Sequence, residues 1–384
     1  MRKQTIIGLD IDKQYAQITY YNERNLEPET VSKSDSQDRY LIPVPEDLFS
    51  LIESSVELGL MTLANFLKTC VAGIRPAVQP EYICMMITMK EMDTPWPEAL
   101  KDACEMMGMH RNNIFLQTHR ESLAYYALNQ KRDLWNHKVA LFEYDDTDIL
   151  SYIMNVDYAT KPALVKVEKG HVLNLGKQGK MDTNQWNEFR DEKFLEMIQD
   201  VFESGTFSSV YLIGDSFDKT WAVESLHHLC FRRHVFQGRN LYTKGACYAA
   251  MDRLGVGKKL DNYLYYSEDM VDTNLSMQME IRGRNREYQI INAGINWFEA
   301  EHICEFIPDD TQEIVIYGKS ILGEETESFS IVLKNMPERP DRTTRLQMKA
   351  KFIAAGKCKV TIRDMGFGEF YPASGLVWES ILEV

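Results

Sequence analysis

Two short segments of the chain combine carboxylates with a turn, and one of them also carries a lysine. The first is segment 10–14 (DIDKQ) and the second is segment 145–148 (DDTD). A carboxylate beside a turn can hold a metal ion, but more often it accepts hydrogen bonds from the backbone N–H groups of the turn. Lys13 could contact a phosphate, although a loop lysine is more often simply solvated. The first question is therefore whether these turns bind a nucleotide phosphate.

Both turns are flanked by apolar, alternating residues that predict β-hairpins. The first hairpin is predicted at 6–11 and 15–21, and the second at 139–144 and 149–156. Between and after them, apolar residues recur at helical spacing or in short continuous runs. Helices are predicted at 48–67, 97–109, 118–129, 186–201, 222–230 and 244–254, and buried strands at 82–89, 113–117 and 209–214. The sequence thus predicts a mixed α/β layout that occurs twice.

From about residue 260 the pattern changes to short alternating segments separated by Gly, Asn, Asp and Pro turns, which is typical of a β-sandwich. These segments are 275–281, 287–291, 313–317, 329–333, 345–352 and 357–363. The predicted fold class is therefore α/β plus all-β. The predicted domains are residues 1–258, in two lobes of about 1–135 and 136–258, and residues 259–384.

The composition of the 384-residue chain limits the classes of partner. Its formal net charge is −14, from 57 acidic and 43 basic residues, whereas a nucleic-acid or anionic-membrane surface would need clustered Lys and Arg. We therefore expect neither nucleic acid nor membrane as a partner. The apolar run near the N-terminus is far shorter than the roughly 20 residues of a membrane span, and the seven cysteines form no CxxC pair. These features predict a cytoplasmic protein with free thiols.

The sequence contains no other recognised catalytic pattern. It has no GxSxG nucleophile elbow, no Walker phosphate loop, no HExxH zinc helix and no dinucleotide-binding fingerprint. His227, His228 and His234 crowd one segment, but a metal site would need carboxylates or thiols that converge at fixed spacing. We interpret this histidine cluster as structural.

The order of these parts resembles the actin-like ATPase superfamily, and in detail the DnaK-type seventy-kilodalton heat-shock chaperones. IGLDID is similar to their first phosphate loop, VALFEYDDTDILSYI to the second, SVYLIGDSFD to their adenosine-site turn and NLYTKGACYAAM to their closing helix. Segment 83–130 is similar in layout to a longer block of strands and helices in the chaperones. The later segments are similar in spacing to the chaperones' peptide-binding β-sandwich. The resemblance implies a duplicated, ribonuclease H-like domain followed by a β-sandwich without a helical lid.

The resemblance assigns roles to three acidic residues. Asp10 matches the family's magnesium-shell aspartate, Glu143 stands where the family has a water- and metal-organising aspartate, and Glu121 matches a glutamate of the family's Glu-Pro-Thr segment. These three are the candidate catalytic residues, and Asp10 is also the candidate metal ligand. The candidate cofactor-binding residues are Asp12, Lys13, Gln14, Asp145, Asp146, Thr147, Gly214 and Asp215.

The same turns depart from the family where phosphates would bind. The family uses glycines there, since backbone N–H groups must approach the phosphates closely. This chain instead has carboxylates in both loops, at Asp12 and Asp145, and at the adenosine turn, at Asp215. A carboxylate about 5 Å from a phosphate charge costs on the order of 3 kcal/mol at an effective dielectric constant near 20. We therefore expect no bound cofactor, whereas an intact family member would bind ATP and Mg²⁺.

Two functions from different classes follow from these features. We prefer a divergent, chaperone-like scaffold that binds a protein or peptide partner and is not an enzyme, because its nucleotide cleft is inactive. The alternative is an atypical Mg-ATP-dependent ATPase whose hydrolysis gates the β-sandwich, and it predicts an ATP-induced thermal shift that Asp10→Ala abolishes. A sugar or acyl-group kinase on the same fold is disfavoured by the sandwich, since such kinases close a small substrate between their own lobes.

Overall fold

The structure is a computed structural model that describes residues 4–22, 24–31, 41–54, 57–145, 147–214, 216–217, 220–309, 312–321 and 326–384. The candidate residues Asp146 and Asp215 lie outside the described residues. The chain divides into two compact units, Met1–Tyr266 and Ser267–Val384, and each is described by itself. Within the described ranges, no helix combines the length and apolarity that crossing a membrane requires.

The first unit mixes strands and helices. Its strands are β1 (Thr5–Ile11), β2 (Tyr15–Tyr21), β3 (Glu29–Thr30), β4 (Ile42–Pro43), β5 (Ile83–Met89), β6 (Ile114–Thr118), β7 (Lys138–Asp145), β8 (Asp148–Asp157), β9 (Ala163–Asn174), β10 (Phe207–Ile213), β11 (His234–Gln237) and β12 (Tyr263–Tyr265). Its helices are α1 (Leu48–Glu53), α2 (Glu57–Val71), α3 (Trp96–Met106), α4 (His119–Asn129), α5 (Thr183–Glu203), α6 (Val223–Cys230) and α7 (Leu241–Arg253).

The strands of the first unit form two sheets with the same internal order. The first sheet has the order β3-β2-β1-β5-β6, with β4 beside β2, and the second has the order β11-β10-β7-β8-β9-β12. In each sheet an antiparallel hairpin, β1-β2 or β7-β8, is extended by two parallel strands, β5 and β6 or β10 and β11. This repetition is the duplicated layout of the actin-like fold, so that part of the predicted fold class is confirmed.

The central strands are buried along their whole length. Every residue of β1, β5 and β10 is buried, including the buried polar residues Thr88, Ser208 and Ser209, and β5 is the most nearly continuous apolar run. Ligands of open α/β sheets bind outside the carboxyl ends of the strands. The ends of β1, β5, β6 and β7 are therefore the positions to inspect for a functional site.

Helix α7 packs unusually close to the first sheet and to α4. A Cβ atom on Gly8 of β1 would lie 2.1 Å from the carbonyl oxygen of Thr243, and one on Gly245 would lie 2.0 Å from the carbonyl oxygen of Ser122. The hydroxyl of Thr243 donates to the carbonyl oxygen of Gly8 at 2.8 Å. These contacts need glycine at both positions, and they hold α7 where Tyr242 can reach the strand ends.

Two predicted boundaries differ from the structure. The single helix predicted at 48–67 is two helices, α1 and α2, and they pack so closely that a Cβ atom on Gly59 would lie 2.7 Å from the carbonyl oxygen of Leu51. The apolar spacing continues across both helices and therefore does not reveal their separation. The domain boundary predicted after residue 258 also falls inside the first unit, because β12 pairs with β9 as an added parallel strand.

The second unit consists of two antiparallel sheets with the orders β14-β13-β16-β17 and β15-β18-β19-β20. Its strands are β13 (Thr273–Ile281), β14 (Arg284–Ile291), β15 (Glu301–Phe306), β16 (Glu313–Ser320), β17 (Thr326–Val332), β18 (Leu346–Ala354), β19 (Lys357–Asp364) and β20 (Val377–Glu383). Inward residues of both sheets, such as Leu275, Ile316, Met348 and Val360, belong to one buried core. Both sheets therefore contribute side chains to the same core, and the β-sandwich stays a prediction.

Candidate functional site

Polar residues converge at the carboxyl ends of the strands of the first unit. Asp10 lies near the end of β1, Lys90 follows β5, His119 follows β6, and Glu143 lies near the end of β7. Ligands of open α/β sheets bind at this position, since the ends of parallel strands and the loops after them meet there. The sequence predicted Asp10 and Glu143 as site residues, and it did not predict Lys90 or His119.

Asp10 is paired with a histidine. The Nε2 atom of His119 lies 2.7 Å from Oδ1 of Asp10, and both side chains are buried. A carboxylate can only accept a hydrogen bond, so Nε2–H of His119 is the donor to Asp10, and Nδ1 of His119 has no hydrogen-bond partner among the described residues. Burial of the imidazole opposes its protonation, but the negative charges of Asp10, Glu143 and Asp12 outweigh burial and raise the pKa of His119.

Tyr242 of α7 connects this pair to the carboxylate of the second sheet. Its ring stacks on His119 with ring centroids 3.8 Å apart, and its hydroxyl donates to Oε2 of Glu143 at 3.1 Å. Burial, followed by the charge of Glu143, raises the pKa of Tyr242 well above its ordinary value. The hydroxyl therefore stays protonated and remains a hydrogen-bond donor to Glu143.

Lys90 neutralises the carboxylates of the second turn. Its Nζ atom lies 3.6 Å from Oε1 of Glu143 and 3.4 Å from Oδ2 of Asp145. Partial burial opposes its charge, but Glu143 and Asp145 outweigh burial and raise the pKa of Lys90. Because Lys90 comes from the first sheet and the carboxylates from the second, this ion pair joins the two lobes.

Two backbone N–H groups of the first turn are bonded within the turn. The N–H of Asp12 donates to the carbonyl oxygen of Tyr15 at 3.0 Å, and the N–H of Lys13 donates to Oδ1 of Asp12 at 2.6 Å. The side chains of Asp12, Lys13 and Gln14 are exposed. A phosphate-binding loop presents such N–H groups to its ligand, so the residues of this turn do not fit a nucleotide phosphate.

The remaining described candidate residues are Thr147, Glu121 and Gly214. The carbonyl oxygen of Thr147 accepts a hydrogen bond from the N–H of Leu175 at 2.9 Å, and Glu121 is buried in the first turn of α4. Gly214 has a φ of 112°, and a Cβ atom there would lie 2.2 Å from the carbonyl oxygen of Tyr144. Packing of β10 against β7 thus accounts for this glycine without a ligand.

The carboxylates also do not form a ready site for Mg²⁺, which proteins usually bind through one or two free carboxylates together with phosphates. Asp10 is held by His119, and Glu143 is held by Tyr242 and Lys90. In the ranges that the structure covers, no three His, Cys, Asp or Glu side chains are grouped as metal ligands are. The arrangement observed is a chain of paired groups, which we call the cleft network: Asp10, His119, Tyr242, Glu143 and Lys90.

A sequence profile described as "Family of unknown function (DUF5716) C-terminal" matches residues 52–268, which is more than half of the chain. The chain belongs to this family. The matched region of this DUF5716 family contains four residues of the cleft network, and only Asp10 precedes it. A second profile, "Domain of unknown function (DUF8552)", matches residues 270–384, which lie in the second unit. A comparison with curated proteins gives no match.

Several solved structures are similar to this member of the DUF5716 family. A Bacteroides thetaiotaomicron protein with an actin-like ATPase fold is 12% identical, with 64% of this chain and 95% of that chain covered and a TM-score of 0.34. MreB 5 of Spiroplasma citri, bound to AMPPNP, is 10% identical, with 65% and 96% covered and a TM-score of 0.36. The Aquifex aeolicus Ppx/GppA phosphatase is 12% identical, with 58% and 71% covered and a TM-score of 0.36.

Similarities at this level are too weak to carry an argument, and we base the fold on the repeated strand order. That order supports the broad actin-like class. The finer resemblance to heat-shock chaperones stays a prediction.

Three residues of the cleft network were not predicted from the sequence. Lys90 directly follows a strand that was predicted at 82–89, and His119 comes two residues after one predicted at 113–117. The rule that ligand sites lie at the carboxyl ends of parallel strands would have found both residues. Tyr242 has no comparable signal, because the close packing of α7 alone brings it to the strand ends.

Removing the Tyr242 hydroxyl tests the cleft network. We expect Tyr242→Phe to lower the free energy of unfolding by about 2 kcal/mol, since a buried hydrogen bond to a charged acceptor is lost. Urea denaturation at neutral pH measures this change. Tyr248→Phe on the same helix is the control and should change stability by less than about 0.5 kcal/mol. Equal effects of the two substitutions would contradict the role of the hydroxyl.

Proposed function

We propose that this protein is a nucleotide-independent scaffold with an actin-like first unit, and that it acts by binding another protein or a peptide. The observation that carries this proposal is the first turn. There the carboxylate of Asp12 already accepts the N–H of Lys13 at 2.6 Å, and the N–H of Asp12 is bound to Tyr15. Two of the backbone donors that would hold a phosphate, the N–H groups of Asp12 and Lys13, are thus used within the turn itself.

The electrostatics of the strand ends support the same proposal. Asp10, Asp12, Glu143 and Asp145 contribute four carboxylates near the turns, and Lys90 is bound to two of them. A triphosphate brought to this position would meet an excess of negative charge, at a cost on the order of 3 kcal/mol for each close pair. The cleft network instead links one lobe to the other through protein groups.

The test is the response of the full chain to Mg-ATP. With 10 mM Mg-ATP, a dissociation constant of about 1 mM would stabilise the folded state by about 1.4 kcal/mol. We expect no thermal shift at this concentration, measured by differential scanning fluorimetry, and no heat of binding in calorimetry. The MreB 5 structure contains AMPPNP, so AMPPNP is a suitable second probe.

Two variants make the outcome decisive. Asp10→Ala removes the candidate metal ligand, and Asp261→Ala removes an exposed carboxylate as the control. A saturable shift with Mg-ATP that Asp10→Ala abolishes and Asp261→Ala preserves would overturn the scaffold proposal in favour of an atypical ATPase.

A further inference from the structure

A groove of about 910 Å³ opens in the second unit between two strands that are neighbours in their sheet. It is lined by the distal half of β13, which includes Met277 and Glu280, by the start of β16, which includes Glu313 and Val315, and by segment 305–309 with Asn285, Arg342 and Arg345. This volume lies within the range of about 300–1,000 Å³ that is typical of ligand pockets. The groove lies entirely in the second unit and is separate from the cleft network.

The groove exists because the pairing of β13 and β16 stops halfway. The two strands pair antiparallel from Thr273 opposite Ser320 to Ser276 opposite Tyr317. The pairing of β13 with β14 shifts register where Leu275 faces Ile291 and Ser276 faces Gln289, so the extra residue, Ile290, lies in β14. Such a bulge bends the strand that carries it and increases the local twist of the pair. Beyond this point β13 stays paired with β14, and β16 stays paired with β17.

Like charges oppose closure of the groove. If the register continued, Met279 would face Ile314 and Glu280 would face Glu313. Two carboxylates directly opposite each other destabilise a strand pair, so β13 gains little by pairing with the start of β16. Each strand therefore presents toward the groove an edge that pairs with no strand among the described residues. Such edges are the usual site of strand addition.

The two sides of the groove differ in polarity. Met277 and Ile314 are buried and Met279 is half-buried, and all three belong to or pack against the core of the second unit. Glu280 and Glu313 are exposed on the solvent side, and the hydroxyl of Ser330 donates to Oε1 of Glu313. Acidic side chains outnumber basic ones around the groove: the acidic ones are Glu280, Glu305, Asp309 and Glu313, and the basic ones are Arg342 and Arg345. Nη1 of Arg345 already lies 3.6 Å from Oε2 of Glu305. A ligand with matching charge is therefore basic on its outer side.

We propose that this groove binds an extended peptide segment in which apolar and basic residues alternate. The segment adds as a strand between β13 and β16, its backbone pairs with the two open edges, and its apolar side chains point toward Met277, Met279 and Ile314. Its lysine or arginine side chains point outward between Glu280 and Glu313, in keeping with the two-residue period of a strand. This site rests on the proposed scaffold function and names the chemistry of the partner.

The test uses the full chain and a fluorescein-labelled nonapeptide of alternating valine and lysine. We expect saturable binding in fluorescence anisotropy. The same peptide with glutamate in place of lysine, and one with N-methylated valines that lack N–H donors, should each bind at least about tenfold more weakly. Equal binding of all three peptides, or no binding of the first, would overturn the proposal.

Variants locate the binding. Glu280→Lys should weaken binding of the valine–lysine peptide by about tenfold, because one attraction becomes a repulsion. Glu369→Lys, the same charge change at an exposed position outside the groove, should leave it unchanged. If Glu280→Lys fails to fold by circular dichroism, Glu280→Gln replaces it and should still weaken binding measurably. Unchanged binding by the folded variant would overturn the groove as the site.

Two further outcomes separate this proposal from others. In sedimentation, the chain alone should be a monomer. A dimer that the peptide dissociates would mean that a second copy of this chain occupies the groove, and it would overturn the proposal. Loss of peptide binding together with an absent Mg-ATP shift would overturn the groove and leave the scaffold proposal standing. Peptide binding together with an Mg-ATP shift that Asp10→Ala abolishes would support the groove and overturn the scaffold proposal.

Discussion

Gly245→Ala is expected to destabilise the first unit by about 3 kcal/mol, the upper end of the range for overpacking a well-packed interior. In an ordinary helix interior the same change is favourable by about 1 kcal/mol. Here the new Cβ atom would lie 2.0 Å from the carbonyl oxygen of Ser122. That oxygen belongs to the backbone of α4, so the steric clash can be relieved only if α4 and α7 move apart. Urea denaturation measures the loss of unfolding free energy, and hydrogen exchange at the α7 amides shows that the loss affects this helix.

Moving α4 and α7 apart should also disturb the cleft network, which a general loss of stability would not do. His119 lies on α4 and Tyr242 lies on α7, with their rings stacked at 3.8 Å. Separating the helices should break this stacking and move the tyrosine hydroxyl away from Glu143. Gly238→Ala is the control, because a Cβ atom there meets nothing within 4 Å, and it should change stability by less than about 0.5 kcal/mol. A Gly245→Ala protein as stable as the control would refute the close-packing argument.

The elements of the first unit could be predicted because burial leaves a direct pattern. Strands β1, β5 and β10 are buried along their whole length, so most of their side chains are apolar on both faces. The hairpin turns were marked by the polar residues at 12–14 and 145–148. The local sequence is sufficient here, since each signal depends on neighbours in the chain.

The partners of the site residues could not be predicted in the same way. Asp10 and Glu143 were found from local motifs, but their partners His119 and Tyr242 are separated from them by 109 and 99 residues. Which histidine or tyrosine meets a given carboxylate depends on how α4 and α7 pack, and that packing is decided by glycines whose need for close approach has no local signature. The end of β13 that does not pair with β16 is another such case, because it depends on a bulge in β14 and on a carboxylate of β16.

Asp364→Asn is expected to destabilise the second unit by about 3–5 kcal/mol, the usual effect of breaking a buried ion pair. The Asp364 side chain is 0% exposed and that of Arg339 is 7% exposed. The two carboxylate oxygens of Asp364 accept hydrogen bonds from Nη1 and Nη2 of Arg339 at 2.9 and 2.8 Å. They also accept from the backbone N–H groups of Gly366 and Ser374 at 2.9 and 2.8 Å. An amide in this place leaves the guanidinium buried without a counter-charge and turns one acceptor into a donor.

The control for Asp364→Asn is the same acid-to-amide change in an exposed pair. Glu379 contacts Lys359 at 2.8 Å, but its side chain is 53% exposed. Glu379→Gln should therefore cost at most about 1 kcal/mol. Hydrogen exchange of the β18–β20 amides assigns the unfolding free energy to the second unit. Comparable losses in the two variants would contradict a special role for the buried pair.

The same carboxylate gives the second unit a predictable dependence on pH. Burial opposes ionisation of Asp364, but the hydrogen bonds from Arg339, Ser374 and Gly366 outweigh burial and hold its pKa well below the ordinary range. A carboxyl whose pKa is lower in the folded state stabilises that state fully above its unfolded pKa, which is about 3.9. As the pH falls below that value toward the folded pKa, the unfolded state takes up the proton first and the stabilisation is lost. The stability difference between the natural chain and Asp364→Asn should therefore be constant from pH 7 to pH 5 and smaller at pH 3, as measured by urea denaturation at the three pH values. A difference that is as large at pH 3 as at pH 7 would show that the charge of Asp364 is not what stabilises this unit.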